Sequence, residues 1–155
     1  MRGLVQRVIR ASVEVAAPDG SLDVVGSIGP GLCVLVGATH TDDETEAEQL
    51  ADKIWNLRVL DDAEGVMNRS LANRHDDGEA AEVLIVSQFT LYGNTDKGRR
   101  PSWIDAARPE RAEPLVDRVV THLRSRGAVV ATGRFRAEMR VEIVNDGPVT
   151  LMLEV

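Results

Sequence analysis

The chain has 155 residues, 43% of them hydrophobic and 28% charged, with a net charge of −7 from 18 basic and 25 acidic side chains. This balance excludes collagen-like, mucin-like and strongly disordered chains and predicts one domain spanning residues 1–155. The acidic excess argues against a generic electrostatic grip on nucleic acid, DNA included, while leaving room for a local basic patch.

Aromatic residues make up only 3%, so the core must be built from Val, Leu, Ile, Ala and Met. The lone cysteine, Cys33, lies in the apolar run Leu32–Val36 and reads as a small core residue. One cysteine cannot form an intrachain disulfide, which points to a reducing, cytoplasmic location. Met1-Arg2-Gly3-Leu4 opens no apolar signal core, and no apolar run approaches the ~18 residues of a membrane span.

In chain order, Val5 to Val15 is rich in β-branched residues and predicts a strand. Residues 16–22 predict a hairpin turn, and Asp23 to Ile28 the returning strand. Gly29-Pro30-Gly31 is a turn signal, and Leu32 to Ala38 is continuously apolar, as in a strand covered on both faces. Thr41 with Glu44 predicts a capping box, followed by a helix whose stripe is Ala47, Leu50, Ala51, Ile54 and Leu57. Arg58 to Leu60 predicts a short strand, Asp61 to Gly65 a turn, and residues 72–80 a polar loop. Glu82 to Phe89 is another apolar strand, followed by a polar loop from Gly93 to Pro101.

A second helix is expected within 109–126, with Leu115, Val116, Val119, Val120 and Leu123 on one face. Pro109 suits a first helical position; Pro114 predicts that the helix either begins there or kinks. Strands are expected at Ala128–Thr132, Met139–Val144 and Val149–Val155, with Asn145-Asp146-Gly147-Pro148 as a turn. About seven strands and two main helices favour α/β of the α+β kind. The expected architecture is a curved mixed sheet, barrel-like, with two helices packed on it rather than a doubly wound sheet.

The three histidines, His40, His75 and His122, lack paired metal-ligand spacing, and neither a phosphate loop nor a Gly-x-Ser-x-Gly elbow is present. No cofactor and no metal are expected. Two segments resist a purely structural reading. At Ser87-Gln88-Phe89-Thr90-Leu91 a buried strand runs into hydroxyl and amide groups just before a basic loop, where backbone N–H groups could hold an oxyanion. Asn145-Asp146-Gly147-Pro148-Val149-Thr150 is the other. Lys97, Arg99 and Arg100 form the main basic cluster beside the first and could guide a phosphate backbone.

These residues resemble the D-aminoacyl-tRNA deacylases. The resemblance spans the chain, through Gln6-Arg7-Val8, Asp61-Ala63-Gly65-Met67-Asn68, Ser87 to Leu91, Gly98 to Ser102, Thr132 to Phe135, and Asn145 to Thr150. It implies hydrolysis of the ester between a D-amino acid and the tRNA 3′-terminal adenosine, with glycyl-tRNA a partial substrate. It also implies a homodimer in which a cis Gly147-Pro148 bond reaches into the partner's site and excludes L-amino acids. Ser87, Gln88, Phe89 and Thr90 would be catalytic residues at the pocket floor. Arg7 would orient the Gly-Pro motif, with Phe135 and Met139 near the site. The implied partners are the aminoacyl-tRNA 3′ end and a second copy of the chain, with no membrane and no DNA.

The sequence departs from the family pattern at Arg136, where a small residue is expected, and this could narrow or recharge the pocket rim. Pro114 and the 72–80 loop are further departures. Two other readings compete: a general aminoacyl-tRNA editing esterase with Thr90 as nucleophile, and a non-catalytic dimeric binding module. An ester to a ribose hydroxyl needs no strong side-chain nucleophile, so positioning, water and an oxyanion hole would suffice.

Overall fold

The computed structural model describes residues 1–17, 19–96 and 98–155. Its strands are β1 (Arg2–Ala16), β2 (Leu22–Ile28), β3 (Gly31–Gly37), β4 (Leu60–Asp61), β5 (Met67–Arg69), β6 (Glu82–Ser87), β7 (Val129–Thr132) and β8 (Met139–Glu154). The helices are α1 (Glu44–Asn56), α2 (Leu71–Asp76) and α3 (Pro109–Arg126), and a 3₁₀ turn covers Phe89–Tyr92.

β1 organises the sheet. β8 runs antiparallel along one edge, while β2 and then β3 run antiparallel along the other. Gly29 and Pro30 therefore interrupt the chain without reversing it, since both strands run the same way past β1. β3, β6 and β7 continue in parallel. The sheet curls until β7 approaches β2: a Cβ on Gly26 would stand 2.4 Å from the Thr132 carbonyl oxygen. Only glycine permits that approach, and it brings the barrel close to closure. The expected curved mixed sheet is thus the observed one, with a third, short helix added.

Alternation along the central strands divides the core in two. Leu32, Val34, Val36, Val83 and Ile85 meet α1 and α3 through Leu50, Ile54, Val119 and Leu123. Cys33, Leu84 and Val86 point the other way, against Val8, Ala11, Val13 and Ile28. Each face of β3 and β6 is covered, which explains their unbroken apolar sequence.

Several local expectations are corrected. The α1 cap is Asp43 with Glu46, not Thr41 with Glu44: Asp43 Oδ1 accepts from the Thr45 N–H, and Glu46 Oε2 accepts from the Asp43 N–H. Residues 72–80 are not a loop throughout, because Ser70 and Asn73 cap each other and start α2, with Leu71 fully buried beneath. α3 starts at Pro109 and carries Pro114 in its interior. The missing bond concerns the Glu110 carbonyl, on an exposed residue where water can replace it. The two expected C-terminal strands are one strand, β8. Gln6 pairs with Thr150 and Val8 with Asn145, so residues 146–149 bulge out opposite Arg7. The long β1 holds β8 on both sides of the bulge, which overrides the turn composition of Asn-Asp-Gly-Pro.

Candidate active site

The parallel register pairs Val36 with Ser87, setting the C-terminal ends of β3 and β6 side by side. The Gln88 N–H donates to the Val36 carbonyl at 2.7 Å, and the chain then turns sharply into the 3₁₀ segment. A Cβ on Gly37 would lie 2.9 Å from the Gln88 carbonyl oxygen, so the glycine lets the two strand ends close up. Arg2 fastens the turn to β1: its Nη1 donates to the Leu91 carbonyl at 2.9 Å and its guanidinium lies over the Tyr92 ring at 4.6 Å. Burial, and then the nearby Asp42 charge, push the Tyr92 hydroxyl up to about 12.

These strand ends floor a cleft of about 650 Å³, well within the range of small-ligand sites. Ser87, Gln88 and Phe89 line it on one side, the start of α3 from Arg108 to Val116 on another, and Phe135 to Val141 on a third. Trp103 closes the rim, its ring packed edge-on against Phe89 with centroids 5.3 Å apart. Gly93 makes room for that ring, since a Cβ there would stand 2.5 Å from Trp103 Cζ3. The floor and walls are mostly apolar; the charged residues in the lining are Arg108 and Arg136.

Ser87, Gln88, Phe89, Phe135 and Met139 are brought together in this lining. Thr90 stands just outside the lining and is exposed; its Oγ1 accepts a hydrogen bond from Gln88 Nε2. That partner is an amide and cannot serve as a base. The N–H groups of Phe89 and Thr90 open the 3₁₀ turn, where helical amides lack acceptors within the helix.

Arg7, Gly147 and Pro148 lie elsewhere in the same chain, outside this cleft. Arg7 is 9% exposed, and its Nη1 meets the Val59 carbonyl at 3.0 Å and Asp61 Oδ1 at 2.7 Å. Its Nε is 3.0 Å from Asp146 Oδ2 without being aimed at it, so that nitrogen carries an ion pair but no hydrogen bond. Asn145 Nδ2 donates to the carbonyls of Arg7 and Val149, at 2.8 and 3.2 Å, pinching the bulge at its base. The expected cis bond is corrected: the described residues contain no cis peptide, so Gly147–Pro148 is trans. Gly147 makes the bend instead, at φ +112, a conformation that a residue with a side chain rarely adopts.

Arg99 and Arg100 are exposed on a loop whose base is closed by reciprocal backbone bonds between Asn94 and Ser102, adjoining Trp103. Lys97 lies outside the described residues. The histidines are dispersed: His40 contacts the Ile104 carbonyl, His75 packs against Trp55, and His122 pairs with Asp52. No helix of the described residues is long and apolar enough to cross a membrane. Trp103, Arg108 and Ala112 belong to the cleft without having been picked out from the sequence. An aromatic residue in a polar loop of an aromatic-poor chain was the available signal for Trp103.

The pattern of the D-Tyr-tRNA(Tyr) deacylase family matches residues 4–154. A D-aminoacyl-tRNA deacylase of Heliobacterium modesticaldum is 53% identical over 154 residues, covering 99% of this chain and 96% of that protein. One of Mycolicibacterium smegmatis is 54% identical over 157 residues, covering 99% of each. A solved structure described as c-Myc DNA Unwinding Element Binding Protein superposes with a TM-score of 0.87 at 39% identity, covering 100% of this chain and 99% of that one. With its cleft at the ends of β3 and β6 and this likeness along nearly its whole length, the chain belongs to the D-Tyr-tRNA(Tyr) deacylase family.

Proposed function

We propose that this protein is a hydrolase of D-aminoacyl-tRNA, cleaving the ester to release free D-amino acid and tRNA. Membership of the deacylase family over residues 4–154 carries this reading. In the reaction, water adds to the ester carbonyl, the bond to the ribose oxygen breaks, and a proton passes to that oxygen. Ser87, Gln88, Phe89 and Thr90 position the ester, and the amides of Phe89 and Thr90 stabilise the oxyanion. Phe135 and Met139 enclose the terminal nucleotide or its amino acid. The apolar lining supports tight enclosure of the reacting group and exclusion of bulk water.

The active unit is a homodimer in which Gly147 and Pro148 of one subunit complete the cleft of the other, with Arg7 fixing the bulge. A stiff backbone wedge reads the α-carbon alone: it clashes with an L side chain and leaves room for a D side chain of any size. The substrate enters by its 3′ end, steadied by Lys97, Arg99 and Arg100, and the enzyme works in the cytoplasm as one domain. Hydrolysis assays on matched D- and L-tyrosyl-tRNA test this function. Release of tyrosine from the D form alone is expected; equal rates on both would refute chiral selection, and no hydrolysis of either would leave a binding module.

A further inference from the structure

The arginines of this chain fall into two groups. Most are occupied. Arg2, Arg7, Arg10, Arg69, Arg74, Arg118 and Arg126 face carboxylates. Arg58, Arg111 and Arg124 donate to neighbouring oxygens. Among the described residues, Arg99, Arg100, Arg108, Arg134, Arg136 and Arg140 have no such partner. Arg108 and Arg136 line the cleft, while Arg140, between the cleft-lining Met139 and Val141 on β8, alternates to the other face of the strand, opposite Glu14. In an acidic chain with net charge −7, two unpaired arginines, the charged side chains of an otherwise mostly apolar lining, mark where an anion is received.

Arg136 carries a second sign. It is the one described non-glycine residue at positive φ, +61°, in a turn closed by the Ala137 N–H on the Arg134 carbonyl at 3.2 Å. A side chain in that conformation is strained, and strain of this kind collects at functional sites.

We propose that Arg108 and Arg136 bind the phosphodiester backbone of the tRNA 3′ end, immediately before the terminal adenosine. This rests on the deacylase reading. The aminoacyl group brings a cationic ammonium, which arginines repel, so they face the polynucleotide side of the ligand. Guanidinium groups suit phosphate oxygens by their paired N–H donors. They are positioning residues for substrate, acting on binding rather than on the ester.

The test uses a 5′-fluorescein cytidine-cytidine-adenosine trinucleotide, with binding followed by anisotropy as salt is varied. Arg108→Gln with Arg136→Gln should weaken binding about tenfold or more, and the log–log salt slope should fall by about 1.4, roughly 0.7 per lost phosphate contact. Arg136→Lys should recover part of the affinity. On D-tyrosyl-tRNA the double variant should raise KM with kcat little changed. On D-tyrosyl-adenosine, which has no phosphate, its loss should be several-fold smaller than on D-tyrosyl-tRNA. Unchanged trinucleotide affinity and salt slope, or an equal loss on the phosphate-free ester, would overturn the proposal. A parent protein that binds the trinucleotide through these arginines but cleaves neither ester would instead refute the deacylase reading.

Discussion

The Arg7 guanidinium lies directly against Gly147: a Cβ at that glycine would stand 3.0 Å from Nη2. A nearly buried cation therefore packs against the bulge on β8 at a glycine whose φ of +112 a residue with a side chain rarely adopts. Asp61 and Asp146 hold the same guanidinium from two further directions, so the motif's position depends on three distant stretches of sequence.

Gly147→Ala meets two penalties together, the positive φ and the contact with Arg7. The variant is expected to lose at least ~1–2 kcal/mol, lowering Tm by several degrees. Its ratio of D- to L-tyrosyl-tRNA hydrolysis should fall as well. Thermal melts and paired assays check both. Wild-type Tm with full discrimination would show that the bulge tolerates a side chain.

Thr90 has a hydroxyl bonded to the Gln88 amide and no base beside it. Thr90→Ala should therefore keep activity within about tenfold, a loss smaller than that of a missing catalytic nucleophile. D-tyrosyl-tRNA ending in 2′-deoxyadenosine should be cleaved at least about a hundredfold more slowly if the vicinal hydroxyl orients or activates water. The opposite pattern, with an acyl-enzyme trapped on Thr90, would establish the nucleophile instead.

The cleft and the Gly147–Pro148 bulge are separated within one chain, so a site that needs both must draw on two. Sizing at assay concentration should give about twice 16.9 kDa. Mixing a Ser87→Trp variant, its cleft blocked, with a Gly147→Ala variant should rebuild one intact site per mixed dimer. A fully active, D-selective monomer would refute the shared site.

Burial pushes the Cys33 thiol from its ordinary value of 9.0 up to about 11. The unfolded chain ionises this group first, so its contribution to stability is complete below pH 9.0 and is lost as pH rises to about 11. The loss should be on the order of 3 kcal/mol, at about 1.4 kcal/mol for each tenfold change in proton affinity. Cys33→Ala should flatten that alkaline slope in urea titrations between pH 9.0 and 11, at the cost of a small cavity at every pH. An unchanged slope would assign the alkaline loss to other groups.

The strands and the two long helices were legible in the sequence because each signal is local: alternation or unbroken apolar runs for β1, β3 and β6, and a helical stripe for α1. Overlapping local signals were already harder. Thr41–Glu44 and Asp43–Glu46 both spell a capping box, and the folded chain uses the second. The Ser87–Thr90 segment stood out because hydroxyl and amide side chains interrupt a buried strand. What the sequence could not determine is what separate segments do to one another. Asn145 to Pro148 has the composition of a turn, yet it is a bulge because β1 is long enough to pair on both sides of it. The cleft joins β3, β6, the start of α3 and the 135–141 segment, none adjacent in sequence to all the others. Arg7 and Arg136 look alike in a list of residues. One is neutralised by carboxylates from two remote segments and the other faces open space, a difference that arises only when the sheet curls and brings those segments together.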